Sequence, residues 1–133
     1  MKIFTQEILE KLAANGRATR LEQEANRNEP DHKPVVKVFC PWSAATWLFT
    51  ESDPDEPDTL FGLCYIHEVE LGYASRSEIE QTIIRGLNLE RDISFRGDYP
   101  LSVYTKAARE AGRITEDKAA LDRAEQEVKN GLD

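Results

Sequence analysis

The sequence predicts an α+β fold: a single domain with a mostly antiparallel sheet of about five strands and helices packed on one side. Three observations predict it. The chain has 133 residues, 40% of them hydrophobic, which suits one domain around one core. Residues 35–74 alternate β-branched and aromatic runs with short turns, and short connections join antiparallel neighbours. Before and after that stretch, apolar residues recur at helical spacing.

The elements follow in order. Thr5 reads as the cap of a first helix with Ile8, Leu9 and Leu12 as its stripe, and Asn15-Gly16 as its stop. A further helical turn is expected from Thr19 to Ala25. The run NEPDHKP (28–34) reads as loop. Val35 to Cys40 is a strand closed by Pro41, which cannot donate to a ladder. Ala45 to Thr50 is the second strand, with Trp47 and Phe49 on one face. The acidic run ESDPDEPD (51–58) connects it to a third, Thr59 to Ile66, and Val69 to Ala74 is the fourth. Ser75 with Glu78 forms a capping box for a helix that carries Ile79 and Ile83 on one face and ends near Gly86. Leu89 to Phe95 is the fifth strand. Pro100 or Ser102 opens a helix with Leu101, Tyr104, Ala108 and Ala111 at helical spacing, closed by Gly112. Thr115 caps the last helix, whose narrow stripe is Ile114, Leu121, Ala124 and Val128. The domain spans 1–133, with the helices of 100–130 at its end and no internal repeat.

Charge is unevenly placed. Net charge is −8, yet no lysine or arginine occurs between Lys37 and Arg76. That interval holds seven acids: Glu51, Asp53, Asp55, Glu56, Asp58, Glu68 and Glu70. The remainder, with 18 acids and 17 bases, is nearly neutral. Such a block repels phosphates, so it argues against direct nucleic-acid binding by that face and favours a basic partner, a cation, or solubility alone. No run of about 18 apolar residues is present for a membrane helix, and acids interrupt the N-terminal segment where a signal peptide is apolar. Two cysteines, Cys40 and Cys64, make no disulfide framework, so a reduced, cytoplasmic protein is expected.

Chemical motifs are few. Acids at 51–58 are oxygen donors, but an EF-hand counted from Asp53 puts Asp58 where glycine is needed and Cys64 where glutamate is needed. Trp42 and Trp47 read as core, because the basic groove that accompanies base stacking is missing. Cys40 and Cys64 read as small buried thiols. His67 beside Glu68 and Glu70 is a thin ligand set. Arg85, Arg91, Arg96 and Arg109 read as ion-pair partners of Glu90, Asp92 and Asp98. No phosphate-binding glycine loop, nucleophile elbow or paired histidines occur, so no catalytic residue, metal site or cofactor is assigned.

The runs VKVFCPWSAATWLFTESDPDEPDTLFGLC, ELGYASRSEIE and GLNLERDISF resemble a family of small bacterial proteins catalogued as domain of unknown function 2958. The resemblance covers about residues 35–96. It rests on Pro41, Trp42, Thr46 and Trp47, on Phe61 to Leu63, on Glu70 to Tyr73, and on Glu90 to Asp92. Cys40 and the helix of 76–85 depart from the family pattern. The resemblance implies carriage on plasmids, phages and integrative elements, and brings no catalytic residues.

Charge and setting together favour a non-enzymatic acidic binding protein of a plasmid or phage. The expected role is an anti-restriction or anti-CRISPR inhibitor engaging the basic surface of a host nucleic-acid-processing complex. The seven acids of the block are its expected contact residues. The alternatives are a metal-assisted enzyme using Glu51, Asp53, His67 and Glu70, or a nucleic-acid-binding accessory protein of plasmid maintenance. The last requires Arg85, Arg91, Arg96 and Arg109 on one face.

Overall fold

A computed structural model describes residues 1–131. Helix α1 (Gln6–Glu24) precedes β1 (Val36–Phe39), β2 (Thr46–Ser52), β3 (Thr59–Tyr65) and β4 (Val69–Ser75). Then come α2 (Arg76–Gln81), β5 (Ile83–Ile84), β6 (Leu87–Asn88) and β7 (Glu90–Arg91). Helices α3 (Leu101–Ala111) and α4 (Lys118–Lys129) follow. A five-stranded sheet has the order β4-β3-β2-β1-β7, with every pairing antiparallel, and β5 and β6 form a separate hairpin. The α+β class and the antiparallel five-stranded sheet are as the sequence predicts.

The helices divide between the two faces of the sheet, where one side was expected. Trp47 and Phe49 point to one face, with Val36, Val38 and Leu60, against Phe4 and Leu12 of the N-terminal segment. Leu48 and Leu63 point to the other, against Val103, Tyr104, Ala107 and Ala108 of α3 and Leu121 and Ala124 of α4. Both stripes on β2 are apolar, so each face of the strand needs a cover. Burial of side chains such as Phe49 or Leu48 stabilises by roughly 1.5–3 kcal/mol each.

Four boundaries differ from the sequence expectation, each for a physical reason. Helix α1 runs through Asn15-Gly16 to Glu24. A Cβ on Gly16 would lie 1.8 Å from the Ser52 carbonyl oxygen, so this glycine lets helix and strand approach closely. Asn15 Nδ2 donates to the Thr50 carbonyl at 2.9 Å, fixing the same contact. Helix α2 stops at Gln81, and Ile83–Ile84 turns back on Leu87–Asn88. The central residues of that turn, Arg85 (φ 54°) and Gly86 (φ 79°), both lie in the left-handed region, the signature of a tight hairpin. The fifth strand shrinks to Glu90–Arg91, and Ile93 is exposed. The last helix is capped by Asp117, which accepts from the Ala120 N–H, while Thr115 accepts from the Asp117 N–H.

Gly16→Ala is expected to lower stability by about 2 kcal/mol, because the added methyl overpacks a backbone contact. In an exposed helix interior the same change gains up to about 1 kcal/mol. Chemical denaturation reads the sign.

Candidate functional site

One cleft stands out, with a volume of about 610 Å³. Helix α3 forms one wall, with Leu101, Thr105, Lys106 and Arg109; β3 and β4 form the floor, with Phe61, Leu71 and Tyr73. Glu51 and His32 close its head. The Phe61 and Tyr73 rings are 5.2 Å apart and inclined at 57°, which gives an aromatic surface that Tyr73 presents to solvent.

Glu51 reaches this cleft through a β-bulge. Phe49 pairs with Gly62, but Glu51 pairs with Phe61, so Thr50 is the extra residue. Strict alternation would put Glu51 on the same face as Phe49. The bulge turns it to the face of Phe61, which packs with the α3 side.

There the carboxylate is largely removed from water, with a side-chain exposure of 18%. Thr19 Oγ1 donates to Glu51 Oε2 at 3.0 Å. The same hydroxyl lies 3.0 Å from His32 Nε2, which is 3.7 Å from Glu51 Oε2. A hydroxyl has one proton, so with Thr19 donating to an ionised Glu51, His32 Nε2–H donates to Thr19. The three groups form a chain from imidazole to hydroxyl to carboxylate. Burial raises the Glu51 pKa above the usual range, and the Thr19 bond and His32 oppose the rise. Neither lysine nor arginine pairs with Glu51 among the described residues.

The other acids are scattered. Asp53 accepts from the N–H groups of Asp55 and Glu56 and pairs with Arg20 at 3.4 Å; Asp55 pairs with Arg20 at 2.9 Å. Asp58 accepts from the Ser75 hydroxyl and from the Ser77 N–H and hydroxyl. These bonds, that from Ser75 foremost, hold its pKa below the ordinary value and tie the β2–β3 loop to the start of α2. Glu56 is exposed. Glu68 and Glu70 lie at the opposite end of the β3–β4 hairpin, about 20 Å away over six residue steps. Hydrogen bonding and charge from Glu68 raise the Glu70 pKa. The seven acids thus form two separate clusters and one inward carboxylate.

His67 sits in the β3–β4 turn, more than ~13 Å along the strand from the level of Glu51. Among the described residues, no group of three or more His, Cys, Asp or Glu side chains converges as a metal site would require. Arg85 lies in the β5–β6 turn and Arg109 on α3, while Arg91 donates to the carbonyls of Lys2 and Ile3. Asp92 pairs with Lys37 at 3.4 Å in place of the arginine expected. Trp47 is buried, but Trp42, expected in the core, is 58% exposed in the turn after β1. Cys40 is a buried thiol whose pKa is lowered by the Ser43 side chain and nearby N–H groups, and Cys64 is half-buried. No helix among the described residues is long and apolar enough to cross a membrane.

This α+β domain, with its cleft between one helix and an antiparallel sheet, matches a family model over residues 3–115. The chain belongs to that family, described as "Protein of unknown function (DUF2958)". No curated protein and no solved structure matches the chain.

In the sequence Glu51 groups with the acidic loop, and nothing joins His32 or Thr19 to it. Only the bulge and the long α1 bring the three together.

Glu51→Gln is expected to raise stability at neutral pH. The folded-state pKa of Glu51 lies above its unfolded value, so ionisation disfavours the fold. The wild type therefore loses stability as pH rises from the ordinary glutamate range through the raised value. The advantage of the variant should vanish below that range, and melting curves across pH read it.

Proposed function

We propose that this chain is a ligand-binding domain whose cleft takes a molecule with a cationic head and an apolar body. Glu51 is the counter-ion for the head, and Phe61, Leu71 and Tyr73 receive the body. The observation that carries this is a carboxylate withdrawn from water with no lysine or arginine among the described residues to pair it. A buried charge of this kind costs stability unless something compensates it. A perturbed carboxylate at the head of a large cleft is a common mark of a binding or catalytic centre. The exposed Tyr73 ring beside Phe61 adds a π surface for a cation. The Glu51–Thr19–His32 chain also gives the cleft a route for a proton between carboxylate and imidazole.

Phenethylamine and agmatine serve as probes. Both should raise the melting temperature of the wild type in proportion to occupancy and shift the Phe61 and Tyr73 ring resonances. Glu51→Gln should remove both effects. No shift in the wild type, or an undiminished shift in the variant, contradicts the proposal.

A second reading rests on the exposed Glu68–Glu70 pair in a stretch with no base from 38 to 75. It is that of a plasmid- or phage-borne inhibitor that engages the basic surface of a host restriction or CRISPR complex. The contact residues left free for it are Glu56, Glu68 and Glu70, since Asp53, Asp55 and Asp58 have internal partners. Changing those three glutamates to glutamine should abolish capture of a purified restriction or CRISPR complex. Equal capture by both proteins rules it out.

A further inference from the structure

The sheet has two edges, and they differ. At one, β7 has only two residues, so little of it is open to pairing. At the other, β4 has seven residues in continuous register with β3, and Glu70 is its one charged residue. It carries no lysine, no proline and no bulge, three of the devices that keep an edge from pairing. It exposes Leu71 (43%) and Tyr73 (74%) on the same face. An open edge of this length with an apolar stripe is a template for another strand.

We infer that β4 pairs with β4 of a second copy, antiparallel and about a two-fold axis through Gly72. The strand is self-complementary in that register. Leu71 faces Tyr73 of the second copy, and Tyr73 faces its Leu71, so the same apolar contact forms twice, once on each side of the axis. Glu70 faces Ala74, and Val69 faces Ser75, so no like charges are opposed. Continuing the same register brings Glu68 to the level of Arg76, the first base after the base-free stretch. Among the described residues the Arg76 guanidinium forms one ion pair, with Asp58 at 3.9 Å, and its Nε makes no hydrogen bond. Charge complementarity at both ends of the strand therefore favours a second copy over an unrelated peptide. At the axis, Gly72 leaves open space, with nothing within 4 Å of where a Cβ would lie. The result is a continuous ten-stranded sheet with an isologous interface.

The pairing bears on the cleft. Leu71 and Tyr73 belong to its floor, so Tyr73 of the second copy extends that floor beyond the edge of one chain. The dimer does not rest on the ligand reading: the edge and its register exist whatever the cleft holds.

Light scattering coupled to size exclusion, from micromolar to near-millimolar protein, tests the pairing. The wild type should show twice the monomer mass, and Leu71→Lys with Tyr73→Lys should show the monomer mass with an unchanged fold by circular dichroism. Both positions are exposed, so lysine there leaves the core intact. Gly72→Cys tests the register. Two cysteines on the axis lie within disulfide reach, and mild oxidation should link the dimer covalently. Glu70→Cys, which faces Ala74, should not link. A wild type that stays monomeric throughout, or a dimer that survives the two lysines, overturns the inference. A dimer in which Gly72→Cys fails to link overturns the axis through Gly72.

Discussion

The close approach of α1 to β2 governs the rest of the structure. A backbone carbonyl at Ser52 occupies the space where any side chain at position 16 would begin, so only glycine allows this depth of docking. The Asn15 amide then satisfies the Thr50 carbonyl at the point where the ladder is interrupted by the bulge. An orphaned carbonyl there would carry a desolvation cost of about 1–3 kcal/mol. The residue pair that reads as a helix stop is thus the docking device. It carries α1 onward to place Thr19 beside Glu51.

From that contact the site follows. The bulge at Thr50 turns Glu51 to the α3 face, the later part of α1 brings Thr19, and the loop after it brings His32. Each group alone is ordinary. Together they hold a carboxylate away from water on a hydrogen-bonded chain, at the mouth of an aromatic floor. Such an arrangement costs folding stability, which is the usual mark of a site kept for binding rather than for the fold.

Much of the scaffold was legible. The four strands from Val36 to Ser75, the Ser75 cap and the Gly112 helix end are local signals of period and turn chemistry. So was the family, because its motifs are short contiguous runs in those strands, in the turn after β1 and at β7. The misplaced features depend on contacts distant in sequence. Asn15-Gly16 is a stop by local rule and a packing device only when Ser52 is known to lie against it. Ile83 fits a helical stripe, yet the left-handed Arg85-Gly86 turn claims it for a hairpin. The acidic block read as one surface, but strand geometry separates Asp58 from Glu68 by the length of the β3–β4 hairpin. Three of its members, Asp53, Asp55 and Asp58, are bound to N–H groups, hydroxyls or arginines that organise the β2–β3 loop and the start of α2. The site itself had no signal in the sequence, since a one-residue bulge decides which face Glu51 takes.

The central claim is that the fold holds Glu51 as a desolvated carboxylate supported by Thr19. The most direct measurement is a carboxyl-carbon NMR titration of Glu51 in the wild type and in Thr19→Val. The midpoint is expected above the ordinary glutamate range in the wild type, and higher still in the variant, because the Thr19 bond favours the ionised form. A wild-type midpoint at or below the ordinary range, or one unmoved by loss of Thr19, contradicts the claim.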